Sequence, residues 1–272
     1  MRLNVRHETT YRYESPVSYS IQTLHLSPRP HDGLAVLSWR IWADGRRDLP
    51  SFVDGLGNLT HCLTVNRAQE GISLTVEGEV ETTDTAGIIR GGAEPLPPPY
   101  YLRATPLTAP DAAIEALAAE ARQGKSTIER LHALMIAVRD RVDYQTGVTN
   151  TATTAAAALA RGAGVCQDHA HIFIAGARLL GIPARYVGGY LWTGIDGLEY
   201  EASHAWAEAY VEHLGWVGFD PSNRICPTAA YIRTSVGLDY AAAAPARGLR
   251  RGEAAESLDV RVAVTAQDQG QQ

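Results

Sequence analysis

Cysteine is scarce in this chain, which holds only Cys62, Cys166 and Cys226 among 272 residues. Three thiols have neither the dense spacing of a disulfide framework nor the paired spacing of a zinc site, so reduced cysteines are the simplest reading. Long apolar runs are missing too, and nothing approaches the roughly 18 consecutive apolar residues of a membrane span. The opening Met1-Arg2-Leu3-Asn4-Val5-Arg6-His7-Glu8 lacks the apolar stretch of a signal peptide, so a soluble, cytoplasmic protein without membrane contact is expected. No block of like charge is long enough to serve as a polyanion-binding arm. With 24 basic against 30 acidic residues the net charge is −6, which disfavours nucleic acid as a partner. No internal repeat is present.

Hydrophobic residues make up 45% of the sequence, enough at this length to bury a substantial core, and two domains are expected. Residues 1 to about 85 alternate apolar and polar positions, as in Leu37-Ser38-Trp39-Arg40-Ile41 and Ile72-Ser73-Leu74-Thr75-Val76. Turn signals stand at Asp54-Gly55 and Gly57-Asn58. An N-terminal antiparallel β domain over residues 1–92 follows from that pattern. The run Glu94-Pro95-Leu96-Pro97-Pro98-Pro99-Tyr100 is poor in amide donors and disfavours helix, so 93–110 reads as an extended, proline-rich linker.

Residues 111–266 read as a second domain with a C-terminal extension. Thr108 with Asp111 and Ser126 with Glu129 form capping-box patterns that mark two helix starts. Leu131, Leu134, Met135, Val138 and Val142 then recur every three to four residues, so one side of the second helix should bury. The alanine-rich stretch 155–160 predicts a short helix stopped at Gly162, and a longer helix is expected from Val165 to Leu180 before Gly181. Strands follow around Ala184–Val187, Ala205–Val211 and Trp216–Phe219. From about Ile225 a polar, alanine-rich segment leads to the alternating run Leu258–Val264, which can add a last strand. Residues 267–272 read as a disordered tail.

Cys166 opens the longer predicted helix, where unpaired amides and the helix dipole favour an anion and direct N–H groups at a developing oxyanion. A thiol nucleophile needs an imidazole to hold it as thiolate, and the imidazole needs a carboxylate to fix its tautomer. Both lie downstream, in Ser203-His204-Ala205-Trp206 and Gly218-Phe219-Asp220-Pro221, on expected neighbouring strands joined by a turn at Gly215. Taken singly, each residue has a plainer reading: a core cysteine, a satisfied core histidine, a turn-forming aspartate. In the order Cys, His, Asp they read as a thiol acyl-transfer triad. Cys166 is then the nucleophile, His204 the general base and later acid, and Asp220 the orienting carboxylate.

The segments Gly164-Val165-Cys166-Gln167-Asp168-His169-Ala170-His171, His204-Ala205-Trp206-Ala207-Glu208 and Gly215-Trp216-Val217-Gly218-Phe219-Asp220-Pro221-Ser222-Asn223 resemble the core elements of the transglutaminase-like superfamily. Arg6-His7-Glu8-Thr9-Thr10-Tyr11-Arg12-Tyr13 with Leu26-Ser27-Pro28-Arg29-Pro30 is similar to the β domain that precedes this core in many bacterial members. The resemblance implies an α+β fold, with a papain-like core whose nucleophilic cysteine sits at a helix N-terminus packed on an antiparallel sheet. It also implies a thioester formed on a glutamine carboxamide or peptide bond of a protein or peptide substrate, passed on to an amine or to water. Animal members are calcium-regulated, but no D-x-D-x-D-G loop occurs here, and neither metal nor cofactor is expected.

Around the triad, Tyr144, Gln167 and Trp206 are candidate substrate-binding residues, with packing or surface roles as the alternative. Trp192, Trp206 and Tyr190 can line a peptide groove or belong to the core. His169, where many relatives carry an apolar aromatic, reads as a solvated or capping residue or as a pocket wall. Asp168 complements the helix N-terminus. Cys166, His169 and His171 do not converge on one helix face, which argues against a metal site. Two other functions share these features: an arylamine N-acetyltransferase-like enzyme, a family whose N-terminal region is largely helical, and a non-catalytic scaffold that binds a peptide or protein in the cleft.

Overall fold

Alternation with a period of two puts every second side chain on one sheet face, and the first third of the chain accordingly forms long antiparallel strands. The computed structural model describes residues 1–194, 203–252 and 255–267. The N-terminal strands are β1 (Arg2–Val17), β2 (Tyr19–Leu24), β3 (Leu34–Ala43), β4 (Ser51–Val53), β5 (Leu59–Val65) and β6 (Gln69–Thr82), followed by the short β7 (Ile88–Ile89). Then come α1 (Ala112–Ala121), α2 (Thr127–Arg141), β8 (Asp143–Tyr144), α3 (Ala155–Arg161), β9 (Ala163–Gly164) and α4 (Cys166–Leu179). The chain continues through β10 (Ala184–Leu191), β11 (Ser203–Val211), β12 (Gly215–Phe219), β13 (Tyr231–Gly237), α5 (Tyr240–Ala243), β14 (Ala246–Arg251) and β15 (Glu256–Ala266). The fold is α+β, as expected, and no helix among the described residues is long and apolar enough to cross a membrane.

Two four-stranded sheets, β15-β1-β6-β3 and β14-β2-β5-β4, make the β domain, and a five-stranded sheet, β13-β10-β11-β12-β7, carries the core. Strand β1 joins them. Its odd-numbered residues Leu3, Val5, His7, Thr9, Tyr11 and Tyr13 are all buried on one face. At one end Tyr11 and Tyr13 pack with Ile72 and Leu74 against Leu24, Leu63 and Val65 of the second sheet. At the other end Leu3 and Val5 pack with Val80 against Tyr190 and Ile232 of the core. Of the two readings of the aromatics, groove or core, the core one holds: Tyr190 is buried against the β domain, and Trp192 packs on the same cluster.

The C-terminal segment departs from its expected place. Strand β14 pairs with β2, and β15 pairs with β1 from Leu3↔Ala266 to Tyr13↔Glu256, so both complete the sheets of the β domain instead of extending the core. Alternation predicted the last strand, but its partner lies some 250 positions away, which no local pattern reveals. Residues 268–272 of the expected tail lie outside the described residues.

Helices cover one face of the core sheet, and the β domain covers the other. Asp111 itself caps α1 by accepting from Ile114 N at 3.0 Å, whereas Thr108 pairs with Thr105 in a preceding 3₁₀ turn, which corrects the first capping box. Ser126 caps α2 as expected, with Glu129 reaching back to the amide of Lys125 at 2.7 Å. The predicted stripe of α2 is buried throughout. Gly162 ends α3 in the left-handed region at φ 70°. Helix α4 runs through the middle with Gln167 to Arg178 buried. Gly176 admits α2 closely, since a Cβ there would stand 2.9 Å from Leu134 Cδ1.

The proline-rich stretch is docked rather than loose. Tyr101 is fully buried, and Glu94 is ion-paired with Arg185 on β10 (Nη2 to Oε1 2.9 Å). Arg185 also meets Glu208 Oε2 at 2.7 Å, and Arg233 meets Glu208 Oε1 at 2.7 Å. Arg185, Glu208 and Arg233 are all buried, and the Arg185 guanidinium lies 3.8 Å over the Trp216 ring. This pairing explains a second departure: β13 lies inside what reads as a polar tail. All seven of its residues are buried, because Arg233, Thr234 and Ser235 find their partners in Glu208, Gly188 O and Ala243 O. Burial alone would raise the Glu208 pKa, but Arg233 and Arg185 outweigh it and hold the group at about 2. Glu208→Gln removes the carboxylate that the two buried guanidinium groups share and leaves them only Glu94, and a loss of about 3–5 kcal/mol in urea-unfolding stability is expected.

Acid should weaken the fold well before Glu208 titrates. His7 bonds Tyr190 Oη at 2.9 Å across the domain contact and Thr9 Oγ1 at 2.8 Å on its own strand, while His171 accepts the amide of Tyr240 at 3.0 Å. Burial lowers the pKa of each from 6.5 to about 4. The unfolded chain therefore takes up protons below pH 6.5 that the folded chain refuses until about pH 4, and stability falls across that window. Urea midpoints measured from pH 7 to 4 should decline accordingly, and a flat profile would contradict neutral, buried histidines.

Candidate active site

Three backbone features bring the predicted triad together: the start of α4, the start of β11 and the end of β12. Val165 is extended at φ −116° and the helix begins at Cys166, leaving the first amides without an intrahelical acceptor. Asp168 Oδ2 accepts the amide of Val165 at 2.8 Å and the hydroxyl of Thr149 at 2.6 Å, which is the helix-start role expected of it. Gly164 leaves room for that carboxylate, since a Cβ would come within 2.6 Å of Asp168 Oδ2.

His204 lies on β11 opposite Gly189 of β10, and Asp220 follows β12 directly. The imidazole Nε2 meets Asp220 Oδ2 at 2.7 Å, and the ring also hydrogen-bonds Cys166, for which only Nδ1 remains. Cys166 is half-buried and free. Asp220 has no exposed surface and receives two further donors on Oδ2, Asn223 Nδ2 and Tyr231 Oη, each at 2.7 Å. Burial opposes charge on Asp220, but the bonds from His204, Tyr231 and Asn223 prevail and lower its pKa. Burial likewise opposes charge on His204, yet Asp220 and Cys166 outweigh it and raise its pKa to about 10. The ring stands between Asp220 and Cys166, and these neighbours favour its charged form.

The other candidates fall differently. Tyr144, on β8 beside the Gly164 strand, is 48% exposed, with its ring 6.1 Å from that of His169. Gln167 is buried within α4. Trp206 is only 2% exposed and stacks on His204 at 6.2 Å, so it supports the histidine from below instead of lining a groove. His169 is neither solvated nor a cap: it is fully buried, with Nδ1 on Ser222 Oγ at 2.8 Å and Nε2 on Val142 O at 2.9 Å. It ties α4 to the loop that holds Asp220. His171 faces Tyr240, so the two histidines serve different partners, and no cluster of metal-ligating side chains occurs among the described residues.

Sequence reasoning missed Tyr231, Asn223 and the bracing role of His169. Asn223 stood inside the quoted motif, and His169 within three residues of the cysteine. Tyr231 carried no signal, because its segment read as polar tail.

The raised His204 pKa has a measurable consequence. The folded value lies above 6.5, so the ring's contribution to stability is complete below pH 6.5 and disappears as pH rises through about 10. In NMR titrations the His204 ring should remain imidazolium at pH 8. Cys166→Ala should lower its midpoint, and Asp220→Asn should lower it further.

Two family models match the chain: the transglutaminase-like superfamily over residues 115–221 and the bacterial transglutaminase-like N-terminal region over residues 3–81. An uncharacterized protein of Mycobacterium leprae is 30% identical, with 97% of this chain and 98% of its own length covered. One of Mycobacterium tuberculosis is 29% identical over 91% of this chain and 87% of its own. Among solved structures, a protein from Cytophaga hutchinsonii described as a candidate cysteine protease superposes with a TM-score of 0.77 at 22% identity, covering 98% of this chain and 92% of that one. With the N-terminal β sheets, the cysteine at a helix start and the ordered His and Asp strands, these matches show that the chain belongs to the transglutaminase-like superfamily, in the form with a bacterial transglutaminase-like N-terminal region.

Proposed function

We propose that this chain is a cysteine-dependent acyl-transfer enzyme acting on glutamine carboxamides or peptide bonds through a thioester on Cys166. One observation carries the reading: a hydrogen-bonded line from Cys166 through His204 to a fully buried Asp220, starting at a helix N-terminus. The Cys166 thiolate attacks the carbonyl carbon, and the helix-start amides receive the negative charge that develops on oxygen. His204 gives its Nδ1 proton to the departing ammonia or peptide amine as the C–N bond breaks, leaving a thioester. The neutral ring then takes a proton from water or a primary amine as that molecule attacks, and the thiolate leaves. Asp220 holds the ring by Nε2 throughout. No step calls for a cofactor or metal. The exposure of Tyr144 leaves it available to a protein or peptide substrate. The description of the Cytophaga hutchinsonii protein agrees with such substrates, and three free thiols suit a cytoplasmic setting.

The test is incubation with a glutamine-containing peptide pool plus a primary amine, read by mass. An amine adduct assigns transamidation, and deamidated or cleaved peptide assigns hydrolysis. Cys166→Ala should abolish both with unfolding stability nearly unchanged. Asp220→Asn should lower kcat at least about a hundredfold. Wild-type protein that forms no product and no thioester across the pool would refute the proposal.

A further inference from the structure

The mechanism above gives the N-terminal β domain no part, yet one of its turns reaches the groups that hold the triad. Building on the acyl-transfer reading, we propose that the turn Asp54–Asn58 is a positioning element of the active site: Leu56 and Asn58 act through Tyr231 and Trp206 to keep Asp220 and His204 aligned with Cys166.

The turn is rigid by construction. Asp54 Oδ1 accepts the amides of Leu56 and Asn58, each at 2.8 Å, and Oδ2 accepts Asn58 Nδ2 at 2.9 Å. Gly57 takes φ +80°, and a Cβ there would come 2.7 Å from Arg29 Nη2, so both conformation and space call for glycine. Asn58, itself fully buried, donates Nδ2 to Val236 O at 2.9 Å and accepts from Val236 N at 2.8 Å. Strand β13 is an edge of the core sheet, and the Val236 amide and carbonyl have no strand beside them. One side chain of the β domain takes the place of the missing strand.

Leu56 packs against the buried cluster formed by Val187, Trp206, Tyr231 and Val236. Two members of that cluster touch the triad. Tyr231 donates its hydroxyl to Asp220 at 2.7 Å, and its ring lies 5.9 Å from that of His204. Trp206 stacks on His204 and meets Tyr231 edge-on at 5.3 Å. Trp206 also packs closely over β10, since a Cβ on Gly189, which pairs with His204, would stand 2.8 Å from its Cη2. A shift of Leu56 or β13 is therefore passed to the His204–Asp220 pair, and displacements of about 1 Å at a reacting pair cost large factors in rate.

The experiment compares Leu56→Ala, Asn58→Ala and the conservative Leu56→Met with Leu63→Ala, a truncation in the separate β-domain cluster. Two readouts are taken: kcat and KM on the peptide substrate, and the rate of iodoacetamide alkylation of Cys166 at pH 7, followed by peptide mass. In the first two variants kcat should fall about tenfold or more at little-changed KM. Alkylation should slow alongside, because a displaced His204 no longer holds the thiolate. Leu56→Met should restore both, and Leu63→Ala should leave both at wild-type levels despite an equal or larger loss of stability. Folded Leu56→Ala and Asn58→Ala proteins with wild-type turnover and alkylation would overturn the proposal. So would Leu63→Ala losing as much as they do. If the alanine variants fail to fold, Tyr231→Phe, which removes the hydroxyl donor to Asp220 and keeps the ring, carries the same expectation. Wild type that alkylates readily but turns over no substrate would sink the acyl-transfer reading, while the alkylation series still decides the positioning role.

Discussion

The core sheet is covered on both faces, and the charged side chains buried on it must therefore find their counter-charges inside the protein. Helices take one face and the β domain the other, so water reaches neither the Arg185–Glu208–Arg233 cluster nor Asp220. A charge in such a place is tolerable only when paired and fully hydrogen-bonded. Glu208 receives two arginines, and Asp220 receives an imidazole, an amide and a phenol. These arrangements are one solution used twice on one sheet. His204 and Glu208 sit on the same face of β11, with Trp206 between them.

That double covering also explains why the two halves of the chain are not independent. Strand β1 spends one end of its buried face on its own domain and the other on the core, and the C-terminal strands return to flank β1 and β2. Glu94, from the segment between the halves, closes the arginine cluster. The β domain is thus built from both termini of the chain and shares its apolar face with the core that it precedes.

Much of this was legible in the sequence. The period-two run Ile72–Val76, the stripe of α2 and the glycine stops report local geometry and appear where their patterns placed them, and Cys166, His204 and Asp220 come together in that order; in β3, by contrast, a register shift between Val36 and Ser38 leaves Leu37 exposed. The cap of α1 falls three residues later than expected, on Asp111 instead of Thr108, because Thr108 has a nearer partner in Thr105. Other elements were hidden for a common reason. Strand β13 looked like tail because Arg233, Thr234 and Ser235 are polar, and only Glu208 and two distant carbonyls make them core residues. Trp206 looked like a groove aromatic because its neighbour is His204, yet it is buried in a cluster with Val187, Tyr231 and Val236 on which Leu56 packs.

By itself the sequence determined the local elements and the chemical types of the site: a thiol at a helix start, an imidazole and a carboxylate on successive strands. Those follow from periodicity, capping and turn chemistry, which act over a few residues. The tertiary structure alone decided which donors converge on Asp220, that Trp206 and Tyr231 lie beneath His204, that His169 braces the aspartate loop, and that the last strands belong to the first domain. Each of these joins residues far apart in the chain through burial and hydrogen-bond pairing, and such pairing exists only once the sheet is covered on both sides.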